Sequence, residues 1–159
     1  KLLLEIDGVP MIRHSAKALL ASGVGEVVTV VGHENEAVAK ALEGLPVKCV
    51  FNPDYEEGQM TSVRAGLESL VQETDGVMIC LGDQPMLMAG DYDSMIRAYQ
   101  GLDQGKIAVP EYQGARGNPI VMPIASRQNI LERDVNFGCR NLIRDNPDLV
   151  EVIEVKNSN

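Results

Sequence analysis

Four polar stretches in this chain carry residue types that can handle phosphate or a metal ion. Asp83, in Leu81-Gly82-Asp83-Gln84-Pro85, directly follows the apolar run 77–81. A carboxylate there can hold Mg²⁺, which bridges phosphate oxygens and offsets charge developing in phosphoryl transfer. Gly82 lets the backbone approach a ligand closely, and Pro85 stiffens the exit. The structural alternative is an aspartate that caps a turn. The second stretch runs from Asn52 to Gly66 and contains Thr61, Ser62 and Arg64. Thr61 and Ser62 fall at a helix start, where free N–H groups and the dipole favour an anion. Arg64 lies in the first turn, where that dipole disfavours a cation. A pair with Glu68 has the poorer orientation for an i, i+4 contact, so a bound anion explains the arginine better. The third is Tyr112-Gln113-Gly114-Ala115-Arg116-Gly117-Asn118-Pro119, either a hairpin turn with an exposed arginine or a loop that contacts substrate. Lys1 is the fourth, heading an apolar run.

These groups need a frame, and the apolar pattern supplies one. Strand-length runs occur at 26–31, 48–51, 77–81, 106–109, 119–122 and 150–155. The first is unbroken and β-branched, as in a strand covered on both faces, whereas the last alternates with period two. Helical spacing separates them at 10–21, 34–42, 62–71 (with Thr61 as N-cap), around Tyr92, Met95, Ile96 and Tyr99, and at 139–145. Such alternation predicts an α/β fold, a mainly parallel sheet sandwiched between helices. Ligands of open parallel sheets sit beyond the carboxyl ends of the strands, where the polar stretches lie.

Composition narrows the partners. The chain has 159 residues, 45% of them hydrophobic, which is enough for one core. A formal charge of -9 argues against general binding of nucleic acid or an anionic membrane, and no run has the length of a membrane span. Cys49, Cys80 and Cys139 lack close metal-ligand spacing. Cys49 and Cys80 read as reduced core thiols, which suggests a cytoplasmic protein. His14 and His33 have no partner His or Cys nearby in sequence, and neither reads as a metal site.

In order, Lys-Leu-Leu-Leu, Gly-x-Pro-Met-Ile-Arg-His, Asn-Pro-x-Tyr-x-x-Gly-Gln-x-Thr-Ser-x-Arg-x-Gly, Leu-Gly-Asp-Gln-Pro and Arg-Gly-Asn-Pro-Ile resemble the molybdenum cofactor nucleotidyltransferase family, its cytidylyltransferase branch in particular. The resemblance implies a Rossmann-like nucleotidyltransferase fold over residues 1–159. It implies transfer of CMP from CTP to the phosphate of molybdopterin, with Mg²⁺ as cofactor and release of pyrophosphate. Lys1 would contact the triphosphate, and Asp83 would hold the metal against the α-phosphate. Gly82, Thr61, Ser62 and Arg64 would complete the nucleotide pocket. Arg116, Gly117, Asn118 and Pro119 would line the pterin side, and a molybdenum hydroxylase would receive the product.

Two departures accompany the resemblance. The family's glycine-rich nucleotide loop would precede Lys1, and a second metal-binding acid would follow Asn159. Asn136 stands where the family often has an Asp. The alternatives are a transferase using GTP or another phosphorylated acceptor, and a non-catalytic module that holds the cofactor for delivery.

Overall fold

A computed structural model describes residues 1–71, 73–133 and 139–156. The position of Asn136 lies outside them. The chain opens with a short ladder, β1 (Glu5–Ile6) against β2 (Val9–Pro10). Asp7 and Gly8 turn between the two strands with φ of 51° and 75°, the left-handed pair that a tight hairpin needs. Helix α1 (Met11–Leu20) follows, then β3 (Val28–Val31), α2 (Asn35–Ala41) and β4 (Lys48–Phe51). Next come α3 (Gln59–Ser69), β5 (Gly76–Ile79), α4 (Ala89–Gln100), β6 (Ile107–Tyr112), β7 (Ala115–Arg116) and β8 (Ile120–Pro123). The last elements are α5 (Ser126–Leu131), α6 (Cys139–Asp145) and β9 (Val150–Glu154).

The fold is α/β as the alternation predicts, but the sheet is mixed rather than mainly parallel. β3 pairs parallel with β4, and β6 parallel with β9. β8 runs antiparallel between β5 and β6, and β7 pairs antiparallel with the end of β6. The physical reason is length. The nine residues 110–118 between the two apolar runs cannot carry a crossover, which needs about a dozen or more. They turn back instead, through Gln113 and Gly114 at φ of 50° and 81°.

Helices cover both faces of this sheet, and the strand residues alternate accordingly. Ile107, Val109 and Met122 pack with Leu67 of α3, Ile130 of α5 and Leu142 of α6. Ala108 and Val121, pointing the other way, pack on Met95 of α4. A third cluster joins Ile12 and Ala16 of α1 to Val31, Val38 and Leu42. Tyr92 is fully buried, and its hydroxyl has no hydrogen-bond partner among the described residues.

Two local expectations change. Helix α3 begins at Gln59 with Gly58 as its N-cap, so Thr61 sits inside the first turn rather than at the cap. Cys49 is exposed, because β4 pairs with β3 alone among the described strands and shows three of its four residues to solvent. Cys139 is buried and Cys80 half-buried, and all three cysteines are free. Among the described residues, no helix is long and apolar enough to cross a membrane.

Candidate functional site

Lys1 and Asp83 meet although they stand 82 positions apart in sequence: Lys1 Nζ donates to Asp83 Oδ2 at 2.7 Å. Both side chains reach solvent, 66% and 35% exposed respectively. An ion pair this open adds little stability. Its consequence is geometric, since it fixes a cation and a carboxylate side by side just beyond the carboxyl end of β5. The adjoining backbone is anchored from below. Ser15 of α1, 2% exposed, donates from Oγ to the Gly82 carbonyl at 3.1 Å. A Cβ on Gly82 would lie 2.7 Å from Ile12 Cδ1, so this glycine lets α1 approach the turn.

Thr61 and Ser62 are also brought together, by a residue that the motif reading passed over. Asn52, 2% exposed, donates through Nδ2 to Thr61 Oγ1 at 2.8 Å and to Ser62 Oγ at 3.0 Å. Its Oδ1 accepts the Asp54 N–H at 3.0 Å. The Thr61 hydroxyl lies 2.8 Å from the Gly58 carbonyl and 2.9 Å from that of Asp54, so its one proton stays within the loop. Ser62, half-buried, accepts from Asn52 and keeps a proton to give. The signal available in sequence was an Asn directly after a strand and nine residues before a Thr-Ser pair.

Arg64 has a different role from the one its position suggested. Its Nη1 donates to the carbonyls of Ile130 at 2.6 Å and Arg133 at 3.2 Å, and its Nη2 to Leu131 at 2.6 Å. These carbonyls end α5, where a cation is favoured by the dipole and satisfies acceptors the helix leaves open. The guanidinium therefore caps a neighbouring helix, and no bound anion is needed to explain it. Arg13 does the same for α2, donating to Ala41 at 2.7 Å and Glu43 at 3.0 Å. His14 is likewise structural, with Nε2 3.0 Å from the Ile6 carbonyl.

The Arg116–Pro119 stretch is tied to its own hairpin. Arg116 Nε lies 3.9 Å from Glu111 Oε2, and the Gly117 N–H bonds to the Pro110 carbonyl at 2.9 Å. Its guanidinium remains half exposed. His33 is exposed, with its ring centroid 6.2 Å from that of Tyr55.

The described residues hold no cluster of three or more His, Cys, Asp or Glu side chains fit for a metal. Asp83 offers one carboxylate, with Oδ1 free of the lysine. Mg²⁺ is commonly held by one or two carboxylates, with substrate phosphates and water completing the shell. The donor set fits that use and not a closed protein cage. Cys80 follows β5 and is unsuited to nucleophilic work, since burial pushes its thiol up to about 12.

A lysine and an aspartate thus stand together just beyond the carboxyl end of β5. The model of the MobA-like NTP transferase domain matches residues 1–151. The chain belongs to this family. Its curated relatives include the bifunctional IPC transferase and DIPP synthase of Rubrobacter xylanophilus, 42% identical over 73 residues. That match covers 44% of this chain and 17% of the relative. The nicotine blue oxidoreductase of Paenarthrobacter nicotinovorans is 26% identical over 97% of this chain and 78% of its own. Among solved structures, Rv0371c of Mycobacterium tuberculosis, determined also with manganese, has a TM-score of 0.83 at 19% identity over 98% of this chain and 78% of its own. A CMP:2-keto-3-deoxy-manno-octonic acid synthetase complexed with CTP has a TM-score of 0.78 at 16% identity, covering 98% of this chain and 83% of its own. These structures share the nucleotidyltransferase fold.

Proposed function

We propose that this nucleotidyltransferase domain transfers CMP from CTP to the phosphate of molybdopterin cofactor. The observation that carries the reading is the 2.7 Å Lys1–Asp83 contact beyond the end of β5. Lys1 donates to the triphosphate and balances its charge, while Asp83 supplies the carboxylate that would hold Mg²⁺. When bound, that ion neutralises negative charge on the phosphates. Ser62 offers its hydroxyl proton at the start of α3, where the helix dipole also favours an anion. An oxygen of the pterin phosphate forms the new bond to the α-phosphorus in line, and the bond to the pyrophosphate oxygen breaks. The acceptor is already an anion, so the chain needs no nucleophile of its own. Its work is positioning and charge compensation.

Cytosine as the base rests on the resemblance of the motifs, with support from a structural neighbour complexed with CTP. The Arg116, Gly117, Asn118 and Pro119 hairpin is assigned to the pterin side, and a molybdenum hydroxylase in the cytoplasm to receiving the product. A redox activity is the second reading, because a relative aligned over nearly the whole chain is named an oxidoreductase.

The test is pyrophosphate release by the complete protein with Mg²⁺, molybdopterin and each nucleoside triphosphate in turn. CTP should support turnover. Asp83→Asn should lower kcat by roughly 100-fold or more, with the free energy of unfolding within about 1 kcal/mol of the parent's. Absence of pyrophosphate release with every nucleotide overturns the transfer reaction, and full activity in Asp83→Asn removes that residue from it.

A further inference from the structure

Two buried side-chain polar atoms lack a hydrogen-bond partner among the described residues, and both follow Asp83 closely in the chain. One is Oε1 of Gln84, the very next residue. The other is the hydroxyl of Tyr92, whose side chain is 0% exposed. The two are complementary in kind, since an amide oxygen only accepts and a phenol has a proton to donate. An orphaned polar atom is costly in the interior, so such groups are normally satisfied, directly or through ordered water.

Tyr92 is placed to reach the Asp83 turn. It is the fourth residue of α4, and helical side chains lean toward the N-terminus of their helix. The phenol therefore extends back past Met88 toward the segment that leads into α4. Burial pushes its ionisation up, and the Cys80 thiol, three residues before Asp83, lies close enough to add to the effect. Gln84 is half-buried, and its amide is divided. Oε1 is turned inward, while Nε2 has no partner among the described residues and reaches solvent beside Asp83.

We infer that Gln84 donates through Nε2 to an oxygen of the phosphoryl group being transferred, and that Tyr92 positions it by satisfying Oε1, directly or through one water. The inference rests on the transfer reaction proposed above. Gln84 touches substrate, whereas Tyr92 acts only through Gln84. A flipped amide would set its acceptor oxygen against an anionic phosphate. Tying Oε1 to the phenol keeps the two N–H donors outward, where they meet charge gathering on the phosphoryl oxygens. Being neutral, the amide leaves Asp83 Oδ1 to the metal.

A double-mutant cycle tests both parts. Tyr92→Phe removes the hydroxyl at nearly constant volume, and Gln84→Met removes the amide at similar length. In urea unfolding each should lower the folding equilibrium constant about fivefold, and the double variant should lose no more than the larger single effect. A Tyr92→Phe protein as stable as the parent, or more so, makes the hydroxyl a stray group and overturns the pair. For kcat/KM with CTP, measured where every variant is folded, Gln84→Met should lose about 100-fold and Tyr92→Phe about fivefold. In the Gln84→Met background, Tyr92→Phe should change nothing further. A tyrosine effect that persists there refutes the positioning role, and full activity in Gln84→Met refutes the contact with substrate. Absence of pyrophosphate release in the parent is instead a failure of the transfer reading. The unfolding cycle then still decides the pair, and calorimetric CTP affinity of the parent against Gln84→Met decides the contact, equal affinities overturning it.

Discussion

Arg64→Ala separates a helix cap from a phosphate ligand. The guanidinium makes two bonds of 2.6 Å, to the Ile130 and Leu131 carbonyls, in part-buried surroundings. A third, at 3.2 Å to Arg133, is exposed and counts for little. Two such bonds contribute about 1–1.5 kcal/mol each. The favourable placement of the charge at the end of α5 adds about 0.3–1 kcal/mol. The variant should therefore lose about 3 kcal/mol of stability, or about 6–12 °C in Tm for a domain of this size. Urea unfolding measures the loss, with an unchanged slope showing that the unfolded state is the same. Arg64→Lys should recover only part of it, because a single ammonium cannot span two carbonyls as the planar fork does. The KM for the nucleotide should stay within about threefold under conditions where the variant is folded. An unchanged Tm with a tenfold rise in KM would refute the capping role and return Arg64 to the site.

The remaining predictions concern the frame around the site. Asn52→Leu removes the donor to Thr61 and Ser62 at nearly constant volume, and should cost about 2–4 kcal/mol in urea unfolding while raising the nucleotide KM. An unaltered KM would detach the Thr61–Ser62 pair from binding. Gly32→Ala should destabilise by about 1–3 kcal/mol, because the new Cβ would stand 2.4 Å from Tyr55 Cβ, an atom that cannot move aside without the short 3₁₀ turn Tyr55–Glu57 that carries it. Calorimetry checks it, and a Tm equal to the parent's contradicts the contact. Burial holds Cys80 at about 12, above its usual 9.0. Above pH 9 the unfolded thiol ionises while the folded one stays protonated, so the unfolded state binds fewer protons and stability falls, by up to about 1.4 kcal/mol per pH unit from this group. Cys80→Ala should flatten the decline between pH 9 and 11, and an unchanged slope would assign it elsewhere.

The sequence revealed elements more readily than relations between them. The runs at 48–51 and 139–145 coincide with β4 and α6, and the other runs fall within a few residues of their strands. Hydrophobic periodicity reports which face is buried and carries no sense of direction, so the antiparallel setting of β8 escaped it. The spacing did contain the answer, in the short interval 110–118. Helix α5 was missed because Ser126-Arg127-Gln128-Asn129 offers no apolar stripe, and its apolar residues, Ile130 and Leu131, come only at its end. Thr61 was misplaced relative to its helix because Gln59 and Met60 look like loop when Gly58 is not recognised as the cap.

At the site, the same limit acts on charge. A motif names residue types, but where a long side chain ends depends on which acceptors the fold leaves open. Arg13 and Arg64 both stand in motif segments, and both spend their guanidinium on the carbonyl ends of other helices. Lys48 serves α3 in the same way through the Ser69 carbonyl, and Lys106 joins Asp148 and Glu151. A chain of formal charge -9 that commits these cations to its own frame has little general attraction for polyanions. Lys1, exposed and held against Asp83, is the cation that the proposed site would present to a phosphorylated ligand.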